Sequence, residues 1–311
     1  MDARSFLSVD DLTAQELGAL FELTRKVKAT PKEFANRLEG MSLAMIFQKS
    51  STRTRVSFEV GMTQLGGQAL FLSASDLQLG RGETVADTAR VLSRYVDGIM
   101  ARTFAHSDVE DLAQFGTVPV INGLTDLLHP CQAVADYFTL SELFPDLRGR
   151  KLTYVGDGNN VAHSLLLGAP KVGMDIAVAT PKEFEPDPTI VGRARRRATE
   201  AGTEVQLTHD PAEAVVDASA IYTDVWASMG QESEAEQRRR LFEGYTVDSR
   251  LMSLARPDAV FLHCLPCHRG EEVSAEVVDG PQSKIFREAE NRLHAQKAIL
   301  IWLMGGESIS G

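Results

Sequence analysis

The sequence contains little cysteine and no long apolar run, and each shortage excludes a class of protein. Three cysteines, Cys131, Cys264 and Cys267, are too few and too clustered for a disulfide framework, and their odd number is typical of a reducing compartment. No apolar run approaches the length of a transmembrane helix. The opening segment MDARSFLSVDDLTAQELG has neither the apolar core of a signal peptide nor the Arg-rich character of a transit peptide. We therefore expect a cytoplasmic protein with no membrane partner.

Positive charge is also in short supply. The chain has 32 Lys and Arg residues against 43 Asp and Glu residues, which gives a net charge of -11 and a pI of about 5.2. Such a field repels polyanions, so nucleic acid is excluded as the main partner and any basic site must be local. What is present is ordinary for a globular protein: 43% hydrophobic and 24% charged residues over 311 positions. This length favours two domains.

Short apolar runs alternate with helical patterns along the chain. The runs predict strands at 42–47, 69–73, 97–101, 118–122, 151–157, 175–180, 204–209, 218–224 and 259–264. Apolar periodicity predicts helices at 8–29, 52–65, 83–95, 131–144 and 290–306, the first opened by Ser8 and Asp11 in capping-box spacing. The alternation is typical of parallel sheets flanked by helices. We therefore expect an α/β fold of two such domains, divided at a hinge in FPDLRGRK, residues 144–151.

The stretch FQKSSTRTRVSFEVG, residues 47–61, places hydroxyl and guanidinium groups where a predicted strand meets a predicted helix. A helix N-terminus presents unpaired backbone N–H groups and the positive end of the helix dipole. Arg53 adds a planar guanidinium suited to phosphate. Four hydroxyl groups surround it, those of Ser50, Ser51, Thr52 and Thr54. The segment predicts an oxyanion site; the alternative is a capped surface helix, because Glu59 follows Arg55 at ion-pair spacing.

Two further polar residues follow predicted strands. Arg102 and His129 each stand where a strand ends, and open α/β sheets bind ligands at the carboxyl edge. Taken alone, His129 beside Pro130 is more typical of a helix cap than of a catalytic group. These two residues are therefore strong candidates for ligand binding only if the fold brings them to the oxyanion site.

The stretch GDGNNVAHS, residues 156–164, joins a predicted strand to a predicted helix and is similar to a dinucleotide fingerprint. Its spacing differs, however, because Val161 stands where the third glycine of G-x-G-x-x-G belongs. The next predicted strand also ends in Thr180 and Pro181, where an acidic ribose ligand would be expected. We therefore expect no nicotinamide cofactor.

The stretch CLPCH, residues 264–268, matches the pattern of covalent haem attachment and also half of a zinc site. The sequence supplies neither context, since it shows no export signal and no second group of ligands at metal spacing. A haem-binding or metal-binding electron carrier remains the alternative from another class of protein. A visible absorption spectrum would separate it from an enzyme without such a group.

Three motifs in register resemble a known family. STRTR at 51–55, HPCQ at 129–132 and HCLP at 263–266 occur in the order and at the separations seen in the aspartate/ornithine carbamoyltransferase superfamily, and specifically in the ornithine carbamoyltransferases. The resemblance covers essentially the whole chain and includes DTARVLSRYVDGI at 87–99, GDGNNVAHS at 156–164, DVWASMG at 224–230 and ENR at 290–292. The nearest alternative is a sibling transferase acting on aspartate, whose corresponding motifs are HPTQ and HPLP.

The resemblance implies a set of substrate-binding residues. Carbamoyl phosphate is expected at Ser51, Thr52, Arg53, Thr54, Gln78, Arg102, His129, Gln132, Cys264, Leu265 and Arg292. Ornithine is expected at Asn160, Asp224, Ser228 and Met229. The expected catalytic residues are Arg102, His129, Asp224 and Cys264. Asp224 would position the amine and Cys264 would desolvate it or take its proton, unless Cys264 is simply a small buried hydrophobe.

The resemblance also implies a reaction and an assembly. The carbamoyl group would pass from carbamoyl phosphate to the δ-amine of L-ornithine, giving L-citrulline and phosphate in arginine biosynthesis, without metal or organic cofactor. Residues 1–145 with the C-terminal helix 290–311, which crosses back to the first domain, would bind carbamoyl phosphate, and residues 146–289 would bind ornithine. Relatives are trimers in which a neighbouring subunit lends residues, and SDLQLGRGE at 75–83 occupies the lending position. We therefore expect a homotrimer with sites at subunit interfaces.

Overall fold

A computed structural model describes residues 4–73, 82–227 and 235–309 of the chain. Within these ranges, no helix is both long enough and apolar enough to span a lipid bilayer. The chain forms two compact units: unit 1 is Met1–Ala135 with Asn291–Gly311, and unit 2 is Asp136–Glu290. The predicted hinge at 144–151 lies inside unit 2, so the assignment of functional domains at 1–145 and 146–289 stays a prediction.

Unit 1 is built on a four-stranded parallel sheet. Its strands are β1 (Ser42–Phe47), β2 (Gln68–Ser73), β3 (Gly98–Arg102) and β4 (Val120–Leu124), in the order β2-β1-β3-β4. Strands β1, β3 and β4 are buried because they consist almost entirely of apolar residues, whereas the edge strand β2 is partly exposed. Phe47 pairs with Arg102, so the loop after β1 starts beside the end of β3.

Among the described residues, six α-helices belong wholly or partly to unit 1. They are α1 (Ala14–Ala29), α2 (Thr52–Gln64), α3 (Val85–Leu92), α4 (His106–Phe115), the start of α5 (Pro130–Leu143) and the end of α12 (Ile285–Met304). Lys297 of α12 donates a hydrogen bond to Gln64 Oε1 at 3.0 Å, and Trp302 packs edge-on against Phe6 with ring centroids 6.0 Å apart. The expected return of the C-terminal helix to the first domain is confirmed.

Unit 2 is built on a five-stranded parallel sheet. Its strands are β5 (Lys151–Val155), β6 (Asp175–Ala179), β7 (Val205–Thr208), β8 (Ala218–Tyr222) and β9 (Val260–Leu262), in the order β7-β6-β5-β8-β9. The helices between and around them are α6 (Asn160–Gly168), α7 (Pro188–Ala201), α8 (Pro211–Val215), α9 (Ala235–Leu241), α10 (Ser249–Ser253) and α11 (Ala275–Val278). All nine predicted strands form, and each end lies within two residues of its prediction. The predicted fold of two parallel sheets flanked by helices is confirmed.

The prediction of one helix over 8–29 is wrong. Ser8 does form its capping box, but the helix that it caps is a short 3-10 turn at Val9–Asp11. A second capping box, made by Thr13 and Glu16, then starts α1. Two start signals so close together favour a separate turn before α1 over one continuous helix. The last helix also differs from its prediction, since α12 starts at residue 285 and not at 290.

Candidate active site

The N-terminus of α2 holds the hydroxyl groups of the STRTR motif close to an arginine of α12. Ser51 caps the helix, because its Oγ accepts a hydrogen bond from the Thr54 backbone N–H at 3.2 Å. The Thr54 hydroxyl is buried and accepts a hydrogen bond from Arg292 Nη2 at 3.0 Å. Thr52, the first residue of the helix, is exposed. The capped-helix alternative is correct for Arg55, which pairs with Glu59 at 2.9 Å.

Positive charge in unit 1 converges on a neutral imidazole. His129 is buried, and burial lowers its pKa well below the ordinary value; the charges of Arg292, Arg102 and Arg53 lower that pKa further. Arg102 and Arg292 are themselves buried. Three guanidinium groups thus act on one uncharged histidine in a chain whose net charge is -11. This arrangement suits a small dianion next to a group that can donate a neutral N–H hydrogen bond.

The HPCQ motif begins α5. His129 precedes Pro130, the first residue of the helix, and its carbonyl accepts the backbone N–H of Ala133 at 3.2 Å. Gln132, the residue before Ala133, lies on the same first turn of the helix and is buried. Cys131 donates from Sγ to the Asn122 carbonyl at 3.4 Å, and burial raises the pKa of its thiol to about 12. This cysteine therefore packs against β4 as an uncharged thiol.

In unit 2, a carboxylate at the end of β8 joins two other elements. Asp224 is buried and accepts a hydrogen bond from Asn159 Nδ2 at 2.9 Å on one oxygen and from Cys264 Sγ at 3.2 Å on the other. Asn159 is also the N-cap of α6, with its Oδ1 accepting from the backbone N–H groups of Val161 and Ala162. The structure thus brings together predicted residues Asp224 and Cys264. Asn160, the predicted ornithine ligand, is the next residue along and starts α6.

The thiol of Cys264 is protonated at neutral pH. Burial raises its pKa well above the ordinary value, and the negative charge of Asp224 raises that pKa further. The thiol therefore acts as a hydrogen-bond donor to the carboxylate and does not act as a thiolate base.

The HCLP loop is held by its histidine. His263 Nδ1 accepts a hydrogen bond from the Leu265 backbone N–H at 2.9 Å, and Nε2 lies 3.3 Å from Glu272 Oε1. With Nδ1 accepting, the proton stands on Nε2 and points at the carboxylate. Leu265 has a positive φ of 60°, a conformation that non-glycine residues adopt only when the surroundings fix it. His263 therefore shapes the loop that carries Cys264.

A partly buried ion pair supports the chain that follows Asp224. Arg238 of α9 donates to Asp157 Oδ2 at 2.7 Å and to the Trp226 carbonyl at 2.7 Å. The predicted ligands Ser228 and Met229 come two and three positions after Trp226, but they lie outside the described residues, as does Gln78 of unit 1.

The glycine-rich stretch GDGNNVAHS packs closely against another backbone segment of the protein. A side chain at Gly158 would meet the backbone of residues 184–186, with the Pro186 nitrogen only 2.4 Å from the Cβ position. Gly158 also donates its N–H to the Phe184 carbonyl at 2.9 Å. In a dinucleotide fingerprint, a glycine at such a point lets the pyrophosphate approach the backbone. In this protein the 184–186 loop fills that space.

Two groups of described residues have ligand atoms within 4.8 Å of one another: Asp224, His263 and Cys264, and separately His268, Glu271 and Glu272. Both ring nitrogens of His263 are already engaged, with Leu265 and with Glu272. Cys267 belongs to neither group and lies 3.9 Å from Arg269 Nη1. The pattern CLPCH thus does not gather its two cysteines and its histidine into one set of ligands.

Sequence reasoning gave no role to Asn159 or Arg238, and it named His263 only as the first residue of the HCLP motif. Asn159 carried a usable signal, since an asparagine before a predicted helix is a typical N-cap. Arg238 pairs with a residue 81 positions away in sequence, and His263 pairs with Glu272 nine positions away as well as with the Leu265 N–H inside its own motif. No local sequence pattern predicts the contacts with Asp157 and Glu272.

Comparisons with known proteins agree with the motif pattern. The family model described as "Aspartate/ornithine carbamoyltransferase, carbamoyl-P binding domain" matches residues 4–142, and the model for the "Asp/Orn binding domain" matches residues 148–303. The ornithine carbamoyltransferase of Thermococcus kodakarensis is 57% identical over 305 residues, with 97% of each chain covered. The enzyme of Carboxydothermus hydrogenoformans is 58% identical over 304 residues, with 97% of this chain and 98% of the relative covered.

Solved structures agree as well. The ornithine carbamoyltransferase from Pyrococcus furiosus superposes with a TM-score of 0.95 at 57% identity, covering 99% of both chains. The one from Gloeobacter violaceus gives a TM-score of 0.88 at 51% identity, covering 98% of this chain and all of the other. Because two family models match most of the chain and relatives of this identity cover nearly all of it, the chain belongs to the aspartate/ornithine carbamoyltransferase family.

Proposed function

We propose that this chain is an ornithine carbamoyltransferase, which transfers the carbamoyl group of carbamoyl phosphate to the δ-amine of L-ornithine and gives L-citrulline and phosphate. The observation that carries the proposal is the neutral, buried His129 among Arg53, Arg102 and Arg292. Full-length relatives named ornithine carbamoyltransferase support ornithine as the acceptor. One of them is named anabolic, which supports a role in arginine biosynthesis.

Unit 1 would hold the donor. The hydroxyl groups and backbone N–H groups of Ser51, Thr52 and Thr54 would bind the phosphate together with Arg53 and Arg102. His129, Arg292 and Gln132 would surround the carbamoyl group. Because the imidazole is neutral, it can donate one N–H to the carbonyl oxygen, and the buried guanidinium groups stabilise the negative charge that develops there.

Unit 2 would hold the acceptor. An alkyl ammonium with a pKa near 10.4 is a free amine in only about one part in a few thousand at pH 7, so the site must favour the neutral nucleophile. Asp224 would position the amine, and Asn160, Ser228 and Met229 would bind the amino-acid end. Cys264, as a thiol hydrogen-bonded to Asp224, would help to desolvate the amine and would not accept its proton. Cys264 and Leu265 would also border the carbamoyl group.

The proposed reaction balances without a metal or organic cofactor. The δ-nitrogen forms a bond to the carbamoyl carbon, and the bond between that carbon and the phosphate oxygen breaks. The ornithine ammonium loses two protons in total; one goes to the departing phosphate and the other to solvent. Residues 1–145 with 290–311 are our proposed carbamoyl phosphate domain and residues 146–289 our ornithine domain. The family-model matches at 4–142 and 148–303 support a boundary near residue 145, and the grouping of residues 291–311 with unit 1 supports the place of the C-terminal helix. We place the reaction in the cytoplasm.

The acceptor is tested by citrulline formation. Wild-type chain supplied with carbamoyl phosphate is expected to carbamoylate ornithine and to leave putrescine, acetylornithine and aspartate essentially unreacted. Preference for aspartate would move the chain to the sibling branch of the family. Absence of reaction with every amine would reject the proposal.

We further propose a homotrimer in which a neighbouring subunit lends Gln78 to each site. Support comes from exposed apolar side chains on the edge strand β2, Leu70 and Phe71, and on helix α2, Val56 and Val60, each at 37–50% exposure. An edge strand with exposed apolar side chains is a favourable place for association. The Arg55 guanidinium lies 3.8 Å over the Phe71 ring and adds a cation to this surface.

Charging this surface is expected to break the assembly. Leu70→Lys should convert a particle of three times the 34.0 kDa chain mass into single chains, because it buries an unpaired ammonium at each contact. Light scattering after size-exclusion chromatography measures the mass. Leu254→Lys, at a similarly exposed leucine of unit 2, is the matched control and should leave the mass unchanged. A wild-type monomer, or a trimer that survives Leu70→Lys, would refute the proposed surface.

Replacing Cys264 with serine tests its role beside Asp224. Serine is more strongly hydrated and leaves a wetter site, so the KM for ornithine should rise about 3- to 10-fold, whereas the KM for carbamoyl phosphate should change far less. The pH–rate profile should not move, because the thiol is protonated throughout the working range. Cys267→Ser is the control. A shifted profile would make Cys264 a proton acceptor, and an unchanged ornithine KM would make it a small core residue.

A further inference from the structure

Glu288, near the start of α12, has a fully buried carboxyl group that contacts the ends of two neighbouring strands of unit 2. Its Oε1 accepts a hydrogen bond from the hydroxyl of Tyr222, the last residue of β8, at 3.1 Å. Its Oε2 accepts a hydrogen bond from the backbone N–H of His263, the residue after β9, at 2.9 Å. Since Tyr222 pairs with Leu262 in the sheet, one carboxyl group ties together the ends of two adjacent strands.

A second buried carboxyl group lies against the first. Asp136 of α5 is fully buried and shares a side-chain hydrogen bond with Glu288. Burial raises the pKa of Glu288 well above its ordinary value, and the charge and hydrogen bond of Asp136 raise it further. A hydrogen bond between two carboxyl groups needs at least one proton, so the pair does not carry two negative charges.

Stability alone does not explain such a pair. Removing carboxyl groups from water is unfavourable, and well-packed apolar residues of similar volume usually give equal or better stability at a buried position. Buried polar groups do fix geometry, because each hydrogen bond is satisfied in only one arrangement of its partners. Here the partners are a side chain and a backbone amide on two different strands.

The two tethered residues lead directly into the pair that we assign to ornithine. Asp224 follows Tyr222 by two positions, and Cys264 follows His263 by one. The contact of 3.2 Å between Cys264 Sγ and Asp224 Oδ1 therefore depends on how the ends of β8 and β9 are spaced. We propose that Glu288 is a positioning residue for ornithine binding, holding Asp224 and Cys264 at the separation that the δ-amine requires. This inference rests on the proposed function.

The proposal is tested by three substitutions read out on both substrates. Glu288→Leu removes both acceptors at similar volume, and Tyr222→Phe removes one of the two tethers. Glu288→Gln retains one oxygen to accept the His263 N–H, and its NH2 group can donate to the Tyr222 hydroxyl and to Asp136, so both tethers can be kept. We expect Glu288→Leu to raise the KM for ornithine about tenfold or more, Tyr222→Phe to raise it less, and Glu288→Gln to restore most of the wild-type value. The KM for carbamoyl phosphate should change far less in all three, because most of the residues proposed to bind it belong to unit 1.

The matched control is Glu142→Gln. Glu142 lies on α5 like Asp136 and pairs with Arg287, the neighbour of Glu288 on α12, at 3.1 Å. Loss of this more exposed pair should leave the KM values for both substrates unchanged. This control distinguishes a general loss of contact between α5 and α12 from a specific change in the spacing of β8 and β9.

The outcomes are distinct. An unchanged ornithine KM in both Glu288→Leu and Tyr222→Phe would overturn the proposal, as would equal losses for both substrates. If Glu288→Leu does not fold, Tyr222→Phe decides by the same comparison, and a wild-type ornithine KM in that variant overturns it. If the wild-type chain itself forms no citrulline, the proposed function fails, and that result is seen before any variant is compared.

Discussion

Replacing Arg53 with lysine is expected to lower kcat/KM for carbamoyl phosphate by about 100- to 1000-fold. A guanidinium binds phosphate through two parallel N–H donors in a fixed plane, whereas an ammonium is a point charge of different shape. Arg53 also contributes to the positive charge that keeps the buried His129 neutral. Steady-state kinetics with carbamoyl phosphate as the varied substrate measure the effect.

Arg90→Lys is the matched control for this experiment. Arg90 is an exposed arginine on α3 of the same unit, pairs with Asp87 at 2.9 Å and lies 5.0 Å over the Phe115 ring. Loss of such a surface pair changes little, so the control should keep wild-type kinetics. If Arg53→Lys also keeps them, the oxyanion site at the start of α2 is wrongly assigned.

Replacing Asp224 with asparagine is expected to lower kcat/KM for ornithine by on the order of 100-fold or more. Asparagine preserves the size of the side chain but removes the only formal charge among the groups that meet at this point, Asn159, Asp224 and Cys264. An ammonium that enters a buried site then has no anionic partner there. The KM for carbamoyl phosphate should be almost unaffected, because that substrate is assigned to unit 1.

The control for Asp224 is Asp258→Asn. Asp258 is an exposed carboxylate of the same unit that lies 3.3 Å from Arg256. Its replacement should leave both substrates unaffected. An Asp224→Asn variant with a normal ornithine KM would contradict the acceptor site, whatever the result at Arg53.

The fold was predictable because its signals are local. Buried parallel strands consist of continuous apolar runs, and SLAMIF at 42–47 becomes β1 at the predicted residues. Helix ends were harder to predict, since a second capping box at Thr13 and Glu16 interrupts the expected helix at 8–29. The early start of α12 was missed because Glu288, a charged residue, faces the interior and breaks the apolar pattern.

The candidate site was predictable where a single motif contains both a binding residue and the local signals that fix its conformation. Ser51 caps α2 as the STRTR sequence indicates. The residues that orient others were not predictable, since Asn159 and Glu288 meet their partners across 65 and 66 positions of sequence. Such contacts follow from which strands lie side by side, and only the folded sheet supplies that order.

The central claim, carbamoyl phosphate in unit 1 and ornithine in unit 2, is tested most directly by one initial-rate experiment. Citrulline and phosphate are measured while both substrates are varied, for the wild-type chain, Arg53→Lys and Asp224→Asn. We predict equal amounts of the two products from the wild-type chain, a raised carbamoyl phosphate KM in Arg53→Lys alone, and a raised ornithine KM in Asp224→Asn alone. Phosphate release without citrulline, or the same KM raised by both substitutions, would contradict the account.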